Sequence, residues 1–238
     1  MALSPFFQVH SDLPREGPGD LESLNWACDL ADLRRDGSVL DAACGPGGDL
    51  AGLLARVPDG HVTAIDKHAH FIAAVQDDFP NHPRLTATVG DMLDPPGPFD
   101  LIWCAGALYF KGVTEGLEAW SGALGPGGRV AFSEPVWLSP APSPEATAFW
   151  ADYPDITDLS GIEARVAQAG FRTIGHRMQV GAPWEAYYRP MAERIAHLRT
   201  GEVSLDLKAA LAESETEIAQ WKACPDEIAY ALLVVAPT

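Results

Sequence analysis

Short apolar runs rich in β-branched residues alternate along the chain with longer segments whose apolar positions recur every three or four residues. The first pattern predicts buried strands and the second amphipathic helices. Strands are predicted at Ser38–Ala42, His61–Ile65, Arg84–Val89, Phe99–Cys104 and Arg129–Ser133. Helices are predicted between them at Asp49–Val57, Phe71–Phe79 and Thr114–Leu124. The nearly unbroken apolar run at Phe99–Cys104 suits a strand covered on both faces. GPGG at Gly125–Gly128 reads as a helix-stopping turn. Strand–helix alternation at this pitch predicts an α/β fold, a parallel sheet with helices on both sides. Ahead of the first strand, Leu21–Leu33 has apolar residues at 21, 24, 27, 28 and 31, with Asp20 as its N-cap. That helix is placed to pack over the ligand edge of the sheet.

The rhythm breaks after the fifth strand. Pro135–Asp158 holds prolines at 135, 140, 142, 144 and 154, together with Trp137, Trp150 and Tyr153. A long insertion of this kind reads as a lid or binding loop. A helix then follows at Leu159–Ala169, a strand at Phe171–Val180, helices at Trp184–Arg199 and Leu205–Ala223, and a last apolar strand at Ile228–Val235. The expected organisation is one domain over residues 1–238, with 1–35 as an N-terminal capping segment and 136–158 as an inserted cap.

Composition narrows the partners. The 238 residues hold 16 Lys and Arg against 33 Asp and Glu, a formal charge of −17. A surface this acidic repels phosphate backbones and anionic bilayers, so neither nucleic acid nor membrane is expected as a partner. No apolar stretch approaches the roughly 20 residues of a membrane span, and no basic start precedes an apolar core at the N-terminus. The cysteines at 28, 44, 104 and 224 fit neither a disulfide framework nor a metal site, which points to a cytoplasmic protein with free thiols. The seven His show no ligand spacing, and no metal is expected.

The chemistry lies in VLDAACGPGGDL, Val39–Leu50, where glycines at 45, 47 and 48 occupy a strand-to-helix turn. Such a turn lets a ligand approach the backbone and aims free N–H groups at it. The second strand ends in Asp66, about 20 residues on, where nucleotide-binding α/β folds place an acid on ribose hydroxyls. The third ends in GDM, whose Asp91 is placed to accept from an exocyclic amine. Strand ends are often Gly/Asp turns, so either acid alone carries little; three such features at successive strand ends carry more. Leu50 stands where the dinucleotide fingerprint has its third glycine, and no GK[ST] follows. The loop therefore suits a ligand with ribose and adenine but without phosphates.

Together these segments resemble a class I S-adenosylmethionine-dependent methyltransferase. LDAACGPGG is similar to the family's first motif, AIDK to its ribose motif and GDM to its adenine motif. FDLIWCAGALYF resembles the fourth strand with the loop under the reacting methyl, and LGPGGRVAFSEP the fifth. LPREGPG at 13–19, Trp103–Tyr109 and FWADYPDI at 149–156 are similar to a bacterial small-molecule branch. The resemblance implies a doubly wound, Rossmann-like seven-stranded sheet of order 3-2-1-4-5-7-6 with the last strand antiparallel. It implies S-adenosylmethionine as cofactor, S-adenosylhomocysteine as product, and a small-molecule methyl acceptor. One departure is Ala43, where the family usually has Gly.

By the same resemblance, Gly45 and Gly47 leave room for the cofactor, and the backbone from Ala43 contacts its methionine part. Asp41 sits near its amino group, Asp66 on the ribose, Lys67 beside the adenine, and Asp91 and Met92 against the adenine. The backbone at Cys104–Gly106 approaches the methionyl end, and Arg15 is a partner for a carboxylate of cofactor or substrate. No catalytic group is assigned. The acceptor wall is expected from Tyr109, Trp137, Trp150, Tyr153 and Tyr188, with Trp184 and Tyr187 beside them; aromatic faces exclude water and hold cations. A [DN]PP[YF] motif is missing after the fourth strand, which disfavours amide and adenine-amine acceptors. The resemblance also allows a homodimer, since many relatives look dimeric, but no exposed apolar stripe here requires one. Two other readings stay open: a cofactor-binding protein without catalysis, and a nicotinamide oxidoreductase, which Leu50 opposes.

Overall fold

In the computed structural model, which describes residues 3–238, seven strands form one sheet in the order β3-β2-β1-β4-β5-β7-β6. The chain runs α1 (Pro5–Val9), α2 (Leu21–Leu30), β1 (Ser38–Ala42), α3 (Leu50–Arg56), β2 (His61–Asp66), α4 (Ala69–Asp78), β3 (Leu85–Val89) and β4 (Phe99–Cys104). It continues through a 3-10 turn (Leu108–Phe110), α5 (Val113–Ser121), β5 (Leu124–Trp137), α6 (Pro144–Phe149) and α7 (Leu159–Gln168). It ends with β6 (Phe171–Gln179), α8 (Ala182–Leu198), α9 (Leu205–Ala223) and β7 (Ile228–Pro237). β1 pairs in parallel with both β2 and β4, and β7 runs antiparallel between β5 and β6. The order reverses between β1 and β4, and open α/β sheets bind ligands in the crevice outside the strand ends at such a point.

Strand alternation sorts the core onto two faces. Leu40, Ile102, Val130 and Phe132 meet Leu117 and Trp120 of α5 and Ile162 and Val166 of α7. Val39, Leu101, Trp103 and Ala131 meet Leu24 and Ala27 of α2, Leu50 and Leu53 of α3, and Val75 of α4. Trp120 is wholly buried, and its indole N–H donates to the Met92 carbonyl at 2.7 Å. A third apolar cluster lies beyond the strand ends. There Ala146 of α6, Trp184 and Tyr188 of α8, and Leu211 and Trp221 of α9 pack on Ile228 and Tyr230 of β7, with Val9 of α1 joining them.

Local chemistry sets the element ends. Asp20, Ser143, Asp158 and Ser204 each accept an N–H of the first turn of the following helix, as N-caps do. α5 stops at Ser121, three residues before the expected end, with Gly122 as its C-cap. GPGG is not a simple turn before a short strand: β5 starts at Leu124, and the glycines form an irregularity between the Phe99 and Leu101 pairings. β5 also continues past Ser133 to Trp137, taking Pro135 into the strand opposite Tyr230. Proline is tolerated there because the β4 pairing ends at Cys104–Phe132, so its missing N–H lies on a local edge. The next group on that edge, the Trp137 N–H, donates to the Thr157 carbonyl.

Candidate active site

β1 delivers the chain into the switch-point crevice through five residues with three left-handed positions: Ala43 (φ 58°), Gly45 (φ 52°) and Gly47 (φ 92°). A side chain at positive φ is strained, so Ala43 occupies a position that favours glycine. A Cβ on Gly47 would lie 2.9 Å from Leu50 and 3.0 Å from Val75, so the space beside that glycine is filled by the protein's own core. A Cβ on Gly48 would lie 2.6 Å from the Pro14 carbonyl. Gly45 is the more open position, with the Glu16 side chain 3.5 Å away as nearest neighbour.

Three aspartates surround this loop. Asp66, at the end of β2, accepts the Gly45 N–H at 3.0 Å through Oδ2 and the His68 N–H at 2.8 Å through Oδ1, where the His68 ring also sits at 3.0 Å. Asp49, at the start of α3, accepts the Trp103 indole N–H at 3.0 Å and is ion-paired with Arg15 at 3.3 Å. Asp41 is buried, and its Oδ2 has no partner among the described residues. Burial first, then the neighbouring Asp49 and Asp66, push Asp41 well above the usual carboxylate range, with Arg15 opposing. A buried acid with an empty acceptor position among other acids calls for a cationic donor.

The remaining expected residues fall around the same crevice. Asp91 is exposed, and its Oδ1 accepts the Leu93 N–H; Met92 is buried. The Lys67 ammonium lies 5.9 Å from the ring of Phe110, which is 68% exposed. Cys104 is wholly buried at the end of β4, and burial pushes its thiol up. After it, Gly106 (φ 70°) has nothing within 4 Å of where a Cβ would stand, and its N–H donates to Ser133 Oγ at 2.8 Å.

The aromatic residues divide. Tyr109 and Tyr153 lie together with ring centroids 5.4 Å apart, and Trp150 meets Tyr230 at 5.8 Å. Trp137 packs against the third cluster. Trp184 and Tyr188 are fully buried there, with the Tyr188 hydroxyl donating to Glu217 at 2.7 Å.

Two features escaped the reading of the sequence. The short helix α1 places Phe7 4.9 Å from the His68 ring and 5.9 Å from Phe71, which puts the N-terminal segment beside Asp66. Glu134 is the second. It is wholly buried near the end of β5, accepts the Tyr153 hydroxyl at 2.5 Å through Oε1, and leaves Oε2 without a partner among the described residues. Burial raises it to about 7, against the opposing Tyr153 hydrogen bond and the charge of Arg165. An acid at a core-facing position between Phe132 and Val136 was the available signal.

The strand order, with β7 antiparallel between β5 and β6, and the helices on both faces give the chain the Rossmann-like fold of solved S-adenosylmethionine-dependent methyltransferases. Residues 39–128 match the family model described as a methyltransferase domain. Over its whole length the chain resembles a methyltransferase from Geobacter sulfurreducens solved with S-adenosyl-L-homocysteine, with a TM-score of 0.83, 19% identity and 98% of each chain covered. It is 32% identical over 133 residues to an uncharacterized 37.1 kDa protein in a Streptomyces fradiae transposon, covering 54% of this chain and 36% of that protein. It is 29% identical over 116 residues to a trans-aconitate 2-methyltransferase of Rhodopseudomonas palustris, covering 49% of this chain and 43% of that protein. The matches thus span about two fifths of these curated relatives.

Proposed function

We propose that the protein transfers the methyl group of S-adenosylmethionine to a small-molecule acceptor. The observation that carries this reading is the left-handed loop at 43–47 backed by Asp66 and by Asp41 with its unpartnered oxygen. The bound cofactor supplies an electrophilic methyl on a sulfonium. Asp41 would meet its ammonium, and Asp66 would accept ribose hydroxyls. A carboxylate has about four acceptor positions, so Asp66 has one in reserve and a second where the His68 ring now sits. Lys67, Asp91, Met92 and the exposed Phe110 ring would border the adenine, and the backbone at Ala43–Gly45 and Cys104–Gly106 the methionyl part. Arg15 would act through Asp49, fixing the start of α3.

The protein's share of catalysis is then to hold the acceptor in line with the methyl and to exclude water, which proximity alone makes worth several kcal/mol, roughly 7 or more in the best cases. Tyr109, Trp150 and Tyr153 form the acceptor side of the crevice. The net charge of −17 supports an acceptor other than a nucleic acid. Four buried free thiols support a reducing compartment such as the cytoplasm, and no helix among the described residues is long and apolar enough to cross a membrane. Incubation with methyl-labelled cofactor and a size-fractionated metabolite extract tests the reading. Label is expected in a compound of low molecular mass. Label in none, while S-adenosylhomocysteine still binds, would favour a binding protein without transfer.

A further inference from the structure

We propose that Glu134 is an acceptor-recognition residue and that the acceptor it selects is a small amine. This rests on the methyltransferase reading above. The register carries the placement. Cys104 pairs with Phe132, so the chain two residues further on brings Gly106 level with Glu134. There the Gly106 N–H donates to Oγ of Ser133, the residue before Glu134. Beside Gly106 is open space, at the loop that the cofactor reading sets under the reacting end. Glu134 thus lies on the strand beside that loop, and its Oε2 has no donor among the described residues.

A fully buried carboxylate oxygen without a partner costs free energy that a ligand donor would recover. The other oxygen is held by Tyr153, whose ring leans on Tyr109. These phenol rings, with Tyr230 and Trp150 behind them, present π-faces of the kind that attract cations.

The charges around Glu134 favour the same class of ligand. Glu217, bonded to Tyr188, acts on Tyr109 and Tyr230 together with Glu134. The cation on this side is Arg165 of α7, which is engaged by the Asp155 carbonyl at 2.6 Å and the Tyr153 hydroxyl at 3.5 Å. A polycarboxylate acceptor would meet acids here, whereas an amine N–H would complete Glu134. These surroundings therefore differ in character from ones suited to the acceptor named for the Rhodopseudomonas relative.

The test compares wild type, Glu134→Gln and Tyr153→Phe. Each is first titrated with S-adenosylhomocysteine. Methyl transfer is then measured to a panel of small primary, secondary and tertiary amines, and to matched carboxylic acids and phenols. Expected are unchanged S-adenosylhomocysteine affinity in all three, transfer to amines by wild type, and a loss of at least tenfold in kcat/KM for Glu134→Gln. The Tyr153→Phe protein is expected to lose less. Transfer to acids or phenols with none to amines would overturn the proposal, as would a Glu134→Gln enzyme that treats amines as wild type does. A wild type that does not bind S-adenosylhomocysteine would overturn the underlying methyltransferase reading instead, and this proposal with it.

Discussion

The Gly45 N–H donates to Asp66 Oδ2 at 3.0 Å across the ends of β1 and β2. One carboxylate therefore shapes the glycine loop, and in the proposed function its spare acceptor positions would take the ribose hydroxyls. Asp66→Ala should weaken S-adenosylhomocysteine binding by about 1–3 kcal/mol, the usual size for losing charge-assisted hydrogen bonds. It should also lower the melting temperature, because the Gly45 N–H is left without its acceptor. Calorimetry and a thermal melt check the two halves, and unchanged affinity would place the ribose elsewhere.

Ala43 holds a φ of 58°, where a methyl group is strained and glycine is not. Ala43→Gly should raise stability by about 1 kcal/mol. Urea unfolding should show a higher midpoint with an unchanged slope. A lower midpoint would mean that the methyl group contributes packing that outweighs its backbone strain.

Gly48 is a contact point between the loop and the N-terminal segment. Its absent Cβ would stand 2.6 Å from the Pro14 carbonyl and 3.0 Å from Arg15 Cβ. Gly48→Ala should push that segment away, cost about 1–3 kcal/mol as overpacking does, and loosen the Arg15–Asp49 pair. Faster proteolysis ahead of residue 20 would register the displacement. A variant as stable and as protected as wild type would show that the segment is held by other contacts.

Glu134 ties stability to pH. It rises from 4.5 to about 7 in the folded chain, so between those values the folded state keeps a proton that the unfolded state has released. Its stabilising share is present in full below about pH 4.5 and is lost as pH climbs through about 7, on the order of 3 kcal/mol. Asp41, Glu16 and Glu217 are also raised, chiefly by burial, and act in the same direction. Unliganded wild type should be less stable at pH 8 than at pH 5 in urea melts, and Glu134→Gln should shrink that difference. An equal difference in the two proteins would contradict the raised, buried state of Glu134.

The sheet was legible because its signals are local. Val39–Ala42, Val62–Ile65 and Phe99–Cys104 are apolar runs bounded by turn residues, and their alternation with helices predicts a parallel sheet, whose strand order came from the family resemblance. The glycine loop and Asp66 were legible because their spacing along the chain is itself the motif. The course of β5 was not. Pro135 looks like a strand breaker until the end of β4 leaves a free edge beside it, a fact of pairing with residues far away in sequence. Nor was the Glu134–Tyr153 bond, which joins a strand to the segment behind α6. The environment of Trp184, Tyr188 and Trp221 likewise depends on α8 and α9 folding back over Tyr230. Sequence pattern marked Trp184 and Tyr188 without dividing pocket from packing.

The most direct test of the central claim is a calorimetric titration of the wild-type protein with S-adenosylhomocysteine, with NAD as the competing ligand. The loop, Asp41 and Asp66 predict saturable one-to-one binding of the first and no detectable heat from the second. Binding of NAD with none of S-adenosylhomocysteine would contradict the account.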